Sequence, residues 1–275
     1  MAGDKDFAFR YLEKCLQSGG DLDVDTLKTD ADLTGLRADP RWETLLKTVA
    51  DKEAQLVGTL PVKHEGTPVP LPEPKRDGAF SVEKALAQRR SVREYLDAPL
   101  SLEEVSQLLW SAYGVTEKIE NAPPFLRGGL KTAPSAGALY PLEIYLVAGK
   151  VTGLPAGVYL YKPEGHALLK VREGDVRDPL CQACLGQTMA RKAPVSLVYS
   201  AVYERTTKKY GERGRERYVC MDLGHSAENV YLQATALKMG TCAIGAFTDL
   251  KLRLVTHMTR EEAPLYVMPV GKTAE

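Results

Sequence analysis

The sequence predicts an α+β domain preceded by a small helical segment, and three observations lead there. Short apolar runs rich in β-branched and aromatic residues (Glu143 to Ala148, EIYLVA; Gly157 to Tyr161, GVYLY; Val195 to Val202, VSLVYSAV) are interleaved with helical stretches. The run Gly157 to Tyr161 is joined to a further strand, Leu168–Val171, by a short turn around Pro163-Glu164-Gly165, which marks a hairpin and argues against the crossover helices of a doubly wound sheet. Finally, Pro61, Pro68, Pro70, Pro72 and Pro74 separate an all-helical beginning from this mixed part, because proline supports neither helix interior nor central strand.

Taken in order, residues 1–57 read as helical. Phe7, Tyr11, Leu12 and Cys15 fall at helical spacing, and Gly19-Gly20 ends that run. The stretch from Asp32 to Trp42 leads into a helix through about Gln55, with Pro40 suited to its first turn. This pattern, DADLTGLRADPRWETLL, resembles the closing segment of tetratricopeptide-type repeats. It has no second copy, and one such unit is expected to lay its apolar face on the main domain or on a partner protein. Residues 58–79 form a Pro-rich linker, an extended spacer or strap.

The main domain, 80–275, opens with helices at Ser81–Arg89 and Ser101–Ala112, the second with Ser101 and Glu104 spaced as a capping box. Leu168–Val171 is a further strand and Asp175–Arg191 a helix. Arg213–Met239 reads as one helix, approaching 40 Å at ~1.5 Å per residue. Its small residues Gly224, Ser226 and Ala227 would admit a second backbone, as in a dimer. Thr241–Phe247 and Leu265–Val270 close the sheet, which is expected to be mixed or antiparallel and flanked by helices.

Composition narrows the function. The 275 residues carry 36 Lys+Arg against 36 Asp+Glu, so no bulk charge draws the chain to nucleic acid or to an anionic membrane. No run approaches the ~18 apolar residues of a membrane span. Asp4 and Asp6 stand where a signal peptide would be basic, so a cytoplasmic protein is expected. Its five cysteines are too few and too scattered for a disulfide framework. Cys181-Gln-Ala-Cys184 has metal or redox spacing but no second pair and no nearby histidine, and reads as two ordinary thiols on an amphipathic helix. No metal is expected.

Four motifs carry chemistry. In Arg89-Arg90-Ser91-Val92-Arg93, three guanidiniums surround a hydroxyl at a helix end. Such forks suit a phosphorylated planar ligand, although they would equally offset a helix dipole. Thr132-Ala133-Pro134-Ser135-Ala136-Gly137-Ala138-Leu139-Tyr140-Pro141 is a tight loop of small residues whose backbone can approach a ligand. Lys208-Lys209-Tyr210-Gly211 lies in a loop before the long helix and supplies an amine and a phenol, both able to act as acid or base. Gly240-Thr241-Cys242-Ala243-Ile244-Gly245-Ala246-Phe247 offers a surface on which a flat ring could lie. His225 and Asn229, one turn apart, are either a pair near the site or a pair satisfied within the helix. No G-x-G-x-x-G or Walker-type loop is present.

The order RRSVR, SLEEVSQLLWSAYG, TAPSAGALYPLEIYLV, KYGERGRERYVCMDLGHSAENVYLQA, GTCAIGAF and PVGK resembles the nitroreductase superfamily over residues 80–272, and within it the SagB/ThcOx-type dehydrogenases. That resemblance implies FMN, bound in a homodimer with each flavin at the subunit interface. By position, it implies Arg89 at the FMN phosphate and ribityl end, Ser91 at the ribityl or ring, and Arg93 at the pyrimidine edge, with Arg90 also among the cofactor-binding residues. Pro134, Ser135 and Ala136 correspond to the loop that the second subunit lays against the flavin, Ile244, Gly245 and Ala246 to the segment under the ring, and Lys272 to a further phosphate contact. Lys209-Tyr210 coincides with a pair that abstracts a proton in the azoline-oxidising members. The implied activity is hydride transfer to flavin from a small or peptide-borne, azoline-like substrate. The alternatives are an NAD(P)H-dependent nitro- or quinone-reductase and a non-catalytic flavin-binding scaffold that recruits a partner through residues 1–57.

Overall fold

The computed structural model describes residues 5–17 and 22–274, all but the side chain of Asp25, and the chain divides into two compact units between Leu60 and Pro61. In the smaller unit three helices, α1 (Lys5–Gln17), α2 (Val24–Thr29) and α3 (Arg41–Gly58), enclose Phe9, Leu12, Leu27, Leu36, Trp42, Leu45 and Val49. The side chain of Asp23 caps α2 by accepting from the Thr26 N–H at 2.7 Å. The unit thus closes a small core of its own, against the expectation that it must borrow one. The buried face of α1 also differs from the one expected: Phe9 and Leu12 point inward, whereas Phe7 and Tyr11 are exposed. Gly19-Gly20 lies outside the described residues.

The larger unit begins at Pro61, and its first stretch is a strap. Arg260 N–H donates to Pro61 O at 2.9 Å, and Leu71 N–H to His166 O at 3.0 Å. A two-residue strand, β1 (Val69–Pro70), pairs at the sheet edge, where proline's missing donor does no harm. The Ser106 hydroxyl, 2.7 Å from His166 Nε2, donates to Pro72 O. The Pro-rich segment is therefore docked along this unit over its first fifteen or so residues.

Next come α4 (Val82–Gln88) and α5 (Leu102–Tyr113), N-capped by Ser81 and Ser101, the second in a complete capping box with Glu104. A hairpin of β2 (Val115–Lys118) and β3 (Gly129–Lys131) follows. The main sheet takes β4 (Leu142–Ala148), β5 (Gly157–Lys162), β6 (Ala167–Glu173), β7 (Val195–Ala201), β8 (Met239–Thr241) and β9 (Ala263–Lys272). Its order is β1-β6-β5-β4-β7-β9-β8, antiparallel at every pairing. The apolar runs are explained by burial on both faces. Ile144 and Leu146 pack toward α5 with Leu197 and Tyr199, while Tyr145 and Val147 pack with Val198 and Val267 on the opposite side.

The remaining helices are α6 (Arg177–Ala183), α7 (Met189–Lys192), α8 (Glu204–Tyr210), α9 (Val219–Ala236) and α10 (Asp249–Thr256). Three expectations are corrected here. The helix expected over Asp175–Arg191 breaks into α6 and α7 because Leu185 and Gly186 turn left-handed, at φ 55° and 78°. Only Thr241 of Thr241–Phe247 lies in a strand; Ile244 makes a single bridge to Val267, and α10 follows. Lys208-Lys209-Tyr210 belongs to a helix, not a loop. The long helix is present, but its first turns are a π-helix, Gly214–Tyr218, that runs on into α9. Cys181 and Cys184 are buried free thiols, and burial pushes the Cys184 thiol up to about 12. No helix of the described residues is long and apolar enough to cross a membrane.

Candidate active site

The RRSVR segment leaves α4 and lies along the sheet edge. Val92 N–H donates to Thr241 O at 2.9 Å, and Leu96 N–H to Lys272 O at 2.9 Å, so Arg93 is held between two fixed points. Two facing glycines make the close approach possible. A methyl on Gly240 would stand 2.5 Å from Val92 Cβ, and one on Gly271 would stand 2.8 Å from Tyr95 Cβ. Ser91 Oγ lies 3.4 Å from the hydroxyl of Tyr231 on α9, which in turn accepts from Ala243 N–H at 2.8 Å. Arg89 rests over the Tyr231 ring, and its one ion pair is a loose contact of 4.0 Å with Glu228. Arg93 is exposed and makes no hydrogen bond or ion pair among the described residues. Arg90 turns back onto Ala87 O and Arg89 O. Lys272 pairs with Glu104 at 3.3 Å. Ile244 is buried, leaving Gly245 and Ala246 as the exposed part of that motif.

These residues fit an anionic, phosphate-bearing flavin. Arg89 and Arg93 are guanidinium forks with little internal employment. The hydroxyl of Thr241, bridged to Ser91, is buried with no hydrogen-bond partner. Exposed Gly245 leaves room above the strand end: the nearest atom to a methyl there would be a Tyr266 ring carbon at 3.5 Å.

The second group is built on the loop before β4. Gly137, Ala138 and Tyr140 all take positive φ, 64°, 54° and 47°, which for the two non-glycine residues costs on the order of 1–3 kcal/mol each. Several contacts impose that shape. Asp222, near the start of α9 and 2% exposed, accepts from Ser135 Oγ at 2.5 Å and from Ala136 N–H at 3.3 Å. Burial raises its carboxyl above the ordinary range, and these two bonds oppose the rise. On the same helix face, His225 Nδ1 lies 3.3 Å from Pro134 O and Asn229 Nδ2 donates to Thr132 O at 3.3 Å. The two therefore hold the loop separately. At the far end Tyr140 O accepts from Arg127 at 3.2 Å and from Arg205 at 3.5 Å. Both guanidiniums also grip the buried carboxylate of Glu143, at 2.9 and 2.6 Å. Burial opposes ionisation of Glu143, but Arg127 and Arg205 together hold its carboxyl below the usual range.

Lys209 and Tyr210, at the end of α8, meet this loop. A methyl on Gly137 would stand 2.8 Å from the Tyr210 hydroxyl and 3.0 Å from the Lys209 amine. The Tyr210 ring packs edge-on against Tyr218 of the π-helix, with centroids 4.8 Å apart. Gly214 lets that turn approach α8, since a methyl there would lie 3.1 Å from the Thr206 backbone.

The loop with Lys209-Tyr210 and the RRSVR segment hang on the same helix but at different places. Asp222 and Tyr231 are nine residues apart, ~13 Å along the axis, and on different faces. A groove of about 940 Å³, lined by Phe80, Val82, Glu104, Trp110, Thr132 and Leu232 among others, touches the start of the loop and includes neither the RRSVR residues nor Tyr210. Sequence reasoning missed Asp222, Tyr231, Tyr218 and the Arg127–Glu143–Arg205 triad. A signal existed for Asp222: it falls on the stripe Val219, Asp222, Ser226, Val230, where an acid is out of place.

The model of the nitroreductase family matches residues 86–272. The chain belongs to the nitroreductase family. A Methanocaldococcus jannaschii protein named as a nitroreductase, MJ1384, is 46% identical over 196 residues, 71% of this chain and 93% of that one. The Escherichia coli microcin B17-processing protein McbC is 28% identical over 179 residues, 62% of each chain, so this chain spans less than two thirds of McbC. A nitroreductase structure from Ralstonia eutropha superposes with a TM-score of 0.64 at 29% identity, covering 78% of this chain and 94% of that one. The nitroreductase-like α+β fold expected from the sequence, with a mixed or antiparallel sheet flanked by helices, is observed, the main sheet being antiparallel at every pairing.

Proposed function

We propose that this nitroreductase-family oxidoreductase uses FMN and oxidises an azoline-like substrate, small or carried on a peptide, in the manner of SagB-type dehydrogenases. The observation that carries the reading is the meeting of Lys209 and Tyr210 with the Pro134–Gly137 loop within one chain. When bound, FMN supplies the hydride acceptor. Arg89 would hold the phosphate and ribityl end, with the unpartnered hydroxyl of Thr241 and the Ser91 hydroxyl, loosely bonded to Tyr231 at 3.4 Å, on the adjoining segments, and Arg93 would provide a fixed cation for negative charge at the pyrimidine edge. Arg90 and Lys272 would reach that end only by leaving their present partners, Ala87 O and Arg89 O for Arg90 and Glu104 for Lys272. Tyr210 or the neighbouring Lys209, whichever of the two stands deprotonated, would accept the proton that must leave the substrate carbon.

The single chain sets its two ligand-facing groups apart around α9. An active homodimer with FMN at the interface, in which the Pro134–Ala136 loop of one copy faces the RRSVR segment of the other, would reunite them. A second reading, an NAD(P)H-dependent nitro- or quinone-reductase, is favoured by the 46% identity to a protein named as a nitroreductase. The purified protein's visible spectrum, followed by anaerobic titration with NADPH and with a thiazoline-bearing peptide, tests both. The proposal expects a flavin spectrum that the peptide bleaches. A colourless protein that takes up no added FMN would overturn both readings and leave a scaffold role. Bleaching by NADPH alone would select the reductase.

A further inference from the structure

We propose that the Pro134–Gly137 loop is the template that positions the Lys209–Tyr210 pair, and that Asp222 is the positioning residue that holds the template in shape. The inference rests on the proposed role of that pair but concerns its placement, which can be read separately. Gly137 is the contact. Its bare Cα faces the Tyr210 hydroxyl and the Lys209 amine, so any side chain at 137 must push at least one of them away.

The loop would not adopt this path unaided, because Gly137, Ala138 and Tyr140 are all left-handed within four residues. Asp222 is the only acid among the three α9 residues that grip the loop, and it engages both a side chain and a backbone N–H immediately before Gly137. Ser135 extends its reach, because its Oγ both donates to Asp222 and accepts from Tyr140 N–H at 3.0 Å, closing the loop on itself. Replacing the carboxylate by an amide leaves one acceptor where two donors converge and turns an N–H₂ toward one of them. Asp222 touches neither member of the pair and acts on them through the loop.

The test reads position, not turnover. Full-length protein carrying 3-fluorotyrosine at position 210 is followed by ¹⁹F NMR in the parent, Asp222→Asn, Ser135→Ala and Gly137→Ala backgrounds, with Ser226→Ala as control. Ser226, on the same helix as Asp222, bonds to Ala112 O and the Tyr199 hydroxyl, and among the described residues no hydrogen bond joins it to the loop. The proposal expects the resonance to move toward that of free fluorotyrosine in Asp222→Asn and Gly137→Ala, with a smaller shift in Ser135→Ala and none in Ser226→Ala, although Ser226→Ala lowers the melting temperature. An unmoved resonance in Gly137→Ala and in Asp222→Asn, or an equal shift in Ser226→Ala, would overturn it. Should Asp222→Asn not fold, Gly137→Ala and Ser135→Ala decide, and an unmoved resonance in both overturns it. A confirmed shift combined with normal substrate oxidation by Tyr210→Phe would refute the catalytic role of the pair and leave the positioning intact.

Discussion

Replacing Glu143 by glutamine should destabilise the larger unit more than any exposed ion-pair change in the molecule. The Glu143 carboxylate is 7% exposed and stands between two guanidiniums, Arg127 at 2.9 Å and Arg205 at 2.6 Å, with Arg127 itself nearly buried. Removing its charge leaves the half-buried Arg205 without an ion pair among the described residues and Arg127 with only the longer 3.5 Å contact to Glu164, which costs about 3–5 kcal/mol. At roughly 2–4 °C per kcal/mol for a domain of this size, the melting temperature at pH 7 should fall by about 6–20 °C. The pH dependence gives a second, independent check. The folded carboxyl is held below its ordinary value, so its contribution is complete above the unfolded value of about 4.3 and is lost as pH falls through the lower folded value. The wild type then carries a neutral group at position 143 as the variant does, and the gap between them should close in acid. Differential scanning calorimetry of both proteins from pH 3 to pH 7 measures this. A loss under about 3 °C at pH 7, or a gap unchanged in acid, would refute the reasoning.

Arg89→Ala should weaken FMN binding by about 1.5–3 kcal/mol, roughly 10- to 150-fold in dissociation constant, as read by flavin fluorescence; unchanged affinity would reduce Arg89 to a helix-end charge. Sedimentation velocity of the FMN-loaded protein should give twice the chain mass, and a stable loaded monomer would contradict the interfacial site. Burial, and secondarily the charge of Arg127, lowers the Lys131 amine to about 8. The unfolded chain therefore binds more protons than the folded one between that value and the ordinary 10.5, so wild-type stability relative to Lys131→Met should rise with pH across that window. A flat difference would show that Lys131 titrates normally.

Much of the fold is legible because period and capping are local. The strands around Ile144, Tyr159 and Val198 are apolar runs whose residues are buried on both sheet faces, and Ser101 with Glu104 starts α5 where the capping box places it. What escaped depends on tertiary closure. The break at Leu185-Gly186 is a left-handed turn in a stretch with good helical pattern, and its exposed leucine is held in that conformation by backbone hydrogen bonds, Leu185 N–H to Gln182 O at 3.1 Å and Gly186 N–H to Cys181 O at 2.9 Å. The helix at Glu204–Tyr210 hides in a sequence rich in charge and bounded by glycine, which reads equally as a solvated loop. In α1 the apolar residues cover much of the circumference, so spacing alone could not choose Phe9 over Phe7 as the buried one. The site divides in the same way. RRSVR and the small-residue loop stand out by composition, but what shapes them is distant in sequence. Asp222 reaches Ser135 across 87 residues, and Tyr231 reaches Ser91 across 140.

The central claim is that Lys209 and Tyr210 handle a substrate proton in an FMN-dependent oxidation, and comparing the two half-reactions in Tyr210→Phe tests it most directly. Anaerobic stopped-flow absorbance follows bleaching of the bound flavin, in wild type and variant, by a thiazoline-bearing peptide and by NADPH. The account predicts that the variant binds FMN normally, loses roughly 10²–10⁴-fold in the rate with the peptide, and keeps whatever rate the wild type shows with NADPH, since hydride transfer from nicotinamide needs no protein base. An equal loss with both reductants, or no loss with the peptide, would contradict it.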